Sequence, residues 1–138
     1  LFDLGLKPYV IATALEGIIA QRLVRRICAA CHERTTPAAE LLAQLGAPFA
    51  ARDLVFHHGK GCAQCGQTGY RGRLALYEVL TPNAELRHMI SSGASILDLT
   101  RIARKLGTTT LLDDAHAKVQ QGLTTVEEIL RVLGPQTE

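Results

Sequence analysis

The stretch 59-GKGCAQCGQTGYRGR-73 holds two of the chain's four cysteines, set among glycines and positive charge. The other two stand in 25-RRICAAC-31. The full pattern is therefore C-x2-C, thirty intervening residues and C-x2-C, built from Cys28, Cys31, Cys62 and Cys65 with no cysteine left over. Each C-x2-C turn presents two sulfurs on one side, and two such turns complete a closed tetrahedral site, so the pattern points to one structural zinc ion. An even cysteine count also fits a pair of redox or structural disulfides. Against that alternative, a chain of 138 residues and 47% hydrophobic composition buries about two-thirds of its surface without covalent staples. The start, LFDLGLKPYV, also lacks a basic region followed by an apolar core and so does not read as an export signal. It has no initiator Met, which reads as a fragment whose true N-terminus lies upstream, and a reducing cytosolic setting is the default.

Working outward, Pro8 suits a first helical turn, and Val10, Ile11, Ala14, Leu15, Ile18 and Ile19 recur at helical spacing, predicting a buried amphipathic helix over residues 8–20. QRLVRRIC then interleaves basic and apolar residues and reads as a strand that delivers Cys28 to the metal. Between the cysteine pairs, TTPAAELLAQLG predicts a short helix with Thr36 as cap, Pro37 in its first turn and Gly46 as stop. DLVFHHGKGC reads as a strand entering the second knuckle. RLALYEVL lacks polar alternation and predicts a strand buried on both faces. From Thr81 onward the punctuation is helical. Thr81 with Pro82, Ser95 with Asp98, and Thr124 with Glu127 are the expected starts, and Gly107, Gly122 and Gly134 the stops, giving four short helices in one small lobe that packs on the cysteine-bearing half.

The low aromatic content, 4% with no Trp, predicts an aliphatic core in one domain or two small lobes. The one candidate membrane span, YVIATALEGIIA, is too short and is interrupted by Glu16 and Gly17. Residues 21–73 carry eight Lys/Arg against three Asp/Glu, and residues 74–138 carry six against eight. A basic first half suits nucleic acid or anionic lipid. A zinc ion with four thiolates is itself doubly negative, however, so Arg25, Arg26, Lys60, Arg71 and Arg73 are expected to offset it locally.

Catalytic equipment is missing from this pattern. GKG at 59–61 lacks the spacing of a phosphate-binding loop. His57 and His58 are possible replacement ligands but are not needed where four thiolates close the site, and His32 reads as a solvated loop residue. Asp113 and Asp114 diverge by about 100° on a helix, which suits a helix N-terminus better than a catalytic dyad. A closed tetrathiolate site leaves no position for water or substrate, so its role is to hold distant segments together.

Taken together, IIAQRLVRRICAAC, GCAQCGQTGYRGRLALYEVL and GLTTVEEILRVLG resemble the C-terminal part of the type II secretion and type IV pilus assembly ATPases, over nearly the whole chain. The resemblance implies an α+β fold: residues 1–27 as the tail of a RecA-like ATPase domain, 28–73 as a tetracysteine zinc subdomain, and 74–138 as a strand plus a C-terminal helical lobe. It assigns zinc to Cys28, Cys31, Cys62 and Cys65. It implies a parent protein that is a cytoplasmic homo-hexamer using ATP and magnesium, with its upstream ATPase domains, neighbouring subunits and inner-membrane platform proteins as partners in protein transport. It also implies peripheral association with the inner membrane through those partners. The phosphate loop and the acidic magnesium-holding motif would lie upstream, so this chain should be inactive alone and has no catalytic residues of its own. Gln21 and Arg22 match a stretch of the nucleotide-binding domain but read as structural polar residues. DDAH departs from the family pattern and leaves the branch open, although the thirty-residue gap looks more like the secretion branch. The alternative is a zinc-ribbon nucleic-acid-binding domain, disfavoured by the scarcity of aromatic stacking residues, with only Tyr70 near the knuckle.

Overall fold

The computed structural model describes residues 4–50 and 54–136. It is an α+β chain: α1 (Pro8–Ala14), β1 (Ile18–Ile27), β2 (His32–Thr35), α2 (Ala39–Leu45), β3 (Phe56–Gly59), β4 (Tyr70–Leu80), α3 (Ala84–Ser91), α4 (Ile96–Lys105), α5 (Leu111–Gln120) and α6 (Val126–Leu133). β1 pairs with β4 and β2 with β3, as two separate two-stranded sheets. Among the described residues no helix is long and apolar enough to cross a membrane.

Two compact units emerge, and each is built from two stretches of chain: residues 1–20 with 77–110, and residues 21–76 with 111–138. The four C-terminal helices therefore do not form one lobe. α3 and α4 belong with α1, and α5 and α6 belong with the cysteines. The first unit has a small core of Ile11, Ala12, Leu86 and Ile90. There Arg87 donates to the Ala12 carbonyl at 2.8 Å. The second has a larger aliphatic core in which Val24, Leu45, Phe49, Leu76, Val119, Val126 and Ile129 are all essentially inaccessible.

Several local expectations shift. The helix predicted over 8–20 stops at Ala14, with Leu15 already extended, and Ile18 and Ile19 open β1. Glu16 and Gly17 break the helical run, and β-branched isoleucines favour the pleated strand that β4 offers as a partner. The helix between the cysteine pairs starts at Ala39 behind Ala38, two residues later than Thr36 and Pro37 suggest, and no side chain caps it. Gly46 does end it, at φ +86°. β4 is not buried on both faces: only Leu76 is buried along its length, because a two-stranded sheet leaves most of a long strand uncovered. α3 is capped by Asn83, which accepts from the Leu86 amide at 2.8 Å, rather than by Thr81. α4 begins as read, with Ser95 accepting from the Asp98 amide. α6 is capped by Thr125 rather than Thr124. Of the stretch read as a strand from residue 53, Asp53 lies outside the described residues.

Candidate metal centre

Both knuckles are set by backbone geometry before any metal is considered. Strand β1 runs to the buried Ile27 and hands over to Cys28, whose amide donates to the Gly69 carbonyl at 2.9 Å. A 3-10 turn, Ala29–Cys31, follows, closed by the Cys31 amide donating to the Cys28 carbonyl at 3.2 Å. The second knuckle repeats this device: the Cys65 amide donates to the Cys62 carbonyl at 3.2 Å, and Gly66 leaves the turn left-handed at φ +59°. β2 and β3 clamp the two together in antiparallel register, His32 opposite Gly59, and the Lys60 amide donates to the Cys31 carbonyl at 3.1 Å.

Two glycines are required by that closeness. A Cβ on Gly59 would lie 2.1 Å from the Gly69 carbonyl oxygen, and one on Gly69 would lie 2.2 Å from that of Gly59. Backbone meets backbone at this point, so no other residue fits at either position.

The result gathers four free thiols. The Sγ atoms of Cys28, Cys31, Cys62 and Cys65 all lie within 4.8 Å of one another. Cys28 to Cys62 and Cys31 to Cys65 are 3.9 Å, and Cys62 to Cys65 is 3.7 Å. A disulfide requires about 2.05 Å, whereas sulfurs 2.3 Å from a tetrahedral zinc stand about 3.8 Å apart. The donor set and its spacing fit one tetrahedral ion. Cys28 and Cys31 are buried, while Cys62 and Cys65 are partly accessible.

Cys31 and Cys65 are shifted in opposite directions. Burial pushes the Cys31 thiol up to about 12, reinforced by its neighbouring thiols and opposed by the Gly61 amide. Burial acts in the same sense on Cys65, but the backbone amides of Cys62 and Gly69 aim at its sulfur, from 3.2 and 3.3 Å, and bring it down to about 6. Amides that favour a thiolate are groups that also favour a metal-bound sulfur.

Among the described residues, the contacts of the basic side chains near the sulfurs go to other groups. Arg25 turns away to Glu128 and lies 4.1 Å over the Tyr70 ring. Lys60 is 3.9 Å from Glu33, and Arg71 donates to Gln64. Arg26 and Arg73 are exposed on β1 and β4. Direct donation to sulfur comes from backbone N–H groups instead. His57 and His58 stay outside the sulfur cluster: His57 stacks on His32 at 4.5 Å, and His58 pairs with Glu33 at 3.0 Å. His32 is not a solvated loop residue. It opens β2, and its Nε2 lies 3.0 Å from the Gly122 carbonyl. Asp113 and Asp114 sit in the first turn of α5, with Asp114 paired to Lys118. Gln21 and Arg22 are exposed on β1, where Arg22 donates to the Gln21 carbonyl.

Sequence reading missed the carboxylate of Glu128. Its side chain is inaccessible to solvent, yet it accepts from the Arg25 amide at 2.8 Å, from Arg25 Nε at 2.8 Å, and from Arg131 at 2.8 and 2.6 Å. Burial would raise its pKa, but these donors hold it down at about 2. Thr124 donates to the Arg25 carbonyl at 2.9 Å, and the Tyr70 hydroxyl lies 2.8 Å from that of Thr125.

The family model described as Type II/IV secretion system protein matches residues 1–131. Among similar proteins, the "Type IV pilus assembly ATPase PilB" of Thermus thermophilus is 42% identical over 93% of this chain and 14% of its own length. The "Type II secretion system protein E" of Pseudomonas aeruginosa is 40% identical over 96% of this chain and 26% of its own. The "Type II secretion system ATPase E" of Vibrio cholerae is 35% identical over 94% and 25%. The chain thus spans about a quarter or less of the relatives it matches. With a family model covering almost every residue, the chain belongs to the type II/IV secretion system protein family.

Proposed function

We propose that this chain is the zinc-binding, C-terminal portion of an ATPase that powers type II secretion or type IV pilus assembly, and that within it the tetracysteine centre has a structural role. The observation that carries the reading is the sulfur tetrad, whose atoms all lie within 4.8 Å of one another and three of whose separations are 3.7 to 3.9 Å. Closed at four ligands, such an ion leaves no site for substrate and serves to pin the segment at Cys28 and Cys31 to that at Cys62 and Cys65. Residues 1–27 would be the tail of a RecA-like domain, 28–73 the zinc segment and 74–138 the strand and helices that follow. ATP and magnesium would be bound by other parts of a homo-hexameric, cytoplasmic parent that meets inner-membrane platform proteins. Family membership supports a place in a secretion or pilus machine. The alternative nucleic-acid reading gains nothing from Tyr70, whose ring lies under Arg25 and whose hydroxyl is bonded to Thr125, so it is not available to stack a base.

The test is native mass spectrometry of the full chain under reducing conditions. One zinc per chain is expected, and Cys62→Ser should abolish stoichiometric uptake and loosen the second unit, because zinc binding of this kind is worth on the order of 10 kcal/mol. A folded wild-type chain that takes up no metal would overturn the reading.

A further inference from the structure

We infer that Glu128 is a positioning residue for the metal centre: by fixing β1 at Arg25 it makes α6 and the sulfur tetrad one cooperative unit. The inference rests on the zinc reading above. It starts from where the chain's C-terminal segment is tied down. Between Gly122 and Glu128, besides its local turn and helix bonds, the chain makes a series of long-range bonds to residues near the cysteines. The Gly122 carbonyl meets His32 Nε2 at 3.0 Å, one residue beyond Cys31. The Ile27 amide donates to the Leu123 carbonyl at 2.9 Å, one residue before Cys28. Thr124 donates to the Arg25 carbonyl at 2.9 Å. The Thr125 hydroxyl meets the hydroxyl of Tyr70, which directly follows Gly69, whose carbonyl receives the Cys28 amide and whose own amide donates to Cys65 sulfur.

Glu128 closes this strap. Its Oε1 takes the backbone amide of Arg25, so the carboxylate fixes the main chain of β1 as well as a side chain. Its Oε2 takes Arg25 Nε, and Arg131 from the next turn of α6 occupies both oxygens, which keeps the carboxylate aimed at the strand. A buried carboxylate satisfied only when α6 is seated transmits position in both directions. If β1 shifts, Cys28 moves and Glu128 loses its bonds to Arg25. If α6 leaves, Arg25 and Ile27, just before Cys28, lose their bonds to the 123–128 segment. By linkage, metal binding then stabilises α6, and α6 tightens metal binding by the same factor. Residues outside the ligand set that orient metal-binding loops are typically worth tenfold or more in affinity.

The experiment uses the full chain with zinc as the probe. Hydrogen exchange is read in α6 and in α4 before and after removal of zinc by a chelator, and zinc affinity is measured by chelator competition. The expected result is α6 exchange at least tenfold faster without zinc, with α4 unchanged, and zinc bound at least tenfold more weakly by Glu128→Gln. Thr124→Val, which removes only the bond to the Arg25 carbonyl, should weaken zinc several-fold and keeps the test open if the Gln variant does not fold. Val119→Ala, a core truncation that removes none of these bonds, should leave zinc affinity within about twofold, which separates positioning from general loss of stability. A wild-type chain that binds zinc while α6 exchange ignores it overturns this inference alone. Wild-type affinity in both Glu128→Gln and Thr124→Val overturns the assignment to Glu128 and its strap. A wild-type chain that binds no zinc overturns both this inference and the zinc reading beneath it.

Discussion

The charge on Glu128 is held against burial by donors from two arginines and one backbone amide, and this fixes how the protein should respond to acid. Its ordinary pKa of 4.5 is lowered to about 2 in the fold. A lowered carboxylate pKa contributes stability that is fully present above the unfolded value and is lost as pH falls from about 4.5 toward about 2. At about 1.4 kcal/mol per unit, discounted because both arginine side chains are about half exposed to solvent, the contribution is about 2 kcal/mol. Urea denaturation at neutral pH and at the two ends of that window should show wild type losing this amount relative to Glu128→Gln, which lacks the titrating group. Parallel acid curves for the two proteins would refute the assignment.

Among the helices, capping decides where each begins, and here the difference between reading and structure has a physical cause. The Ser95 hydroxyl accepts the Asp98 amide and donates to the Asp98 carboxylate at 2.6 Å, so Ser95→Ala should cost about 1 kcal/mol. Thr81 caps nothing in α3, since Asn83 does, so Thr81→Ala should be nearly neutral. Equal losses in thermal denaturation would refute both cap assignments. Gly122 makes a sharper contrast with Gly134. Both have positive φ, at +69° and +74°, but a Cβ at Gly122 would also lie 2.9 Å from His32 Nε2 and from His57 Nδ1, while at Gly134 it meets nothing. Gly134→Ala should cost about 1 kcal/mol from backbone strain, and Gly122→Ala clearly more. The cysteine pairs were legible in the sequence because metal chemistry demands short fixed spacings. The caps at α3 and α6 were misplaced by one or two residues because Thr-Pro-Asn and Thr-Thr each offer adjacent candidates. In α6 the choice is made by a tertiary bond, Thr124 being occupied by the Arg25 carbonyl. Glu128 and Arg25 are 103 residues apart, so nothing local announces their pairing. The run from Val10 to Ile19 misled for a different reason: isoleucines at helical spacing also suit a strand once a partner strand is present.

Across the whole molecule, apolar exposure is unevenly shared between the two units. Among the described residues, thirteen large hydrophobic side chains are left exposed: eleven belong to the unit of residues 1–20 and 77–110, while Leu23 and Val55 belong to the other. Among its described residues, that first unit buries a core of four, Ile11, Ala12, Leu86 and Ile90. It also contains a cleft of about 420 Å³ lined by Ile18, Leu80, Leu86, Ile90, Leu99 and Ala103. Single exposed apolar residues are ordinary, but this concentration on one small unit is a liability in water. Ile96 and Leu97 are the clearest case, at 75% and 73% exposure in the first turn of α4. Glutamate is a good helix former and favours a helix N-terminus, so Ile96→Glu with Leu97→Glu removes apolar surface without weakening α4. The double variant should show less concentration-dependent light scattering and less binding of a hydrophobic dye than wild type, with zinc uptake unchanged because the sulfurs belong to the other unit. If association and dye binding stay at wild-type levels, the exposed side chains of α4 are not what makes the chain adhesive.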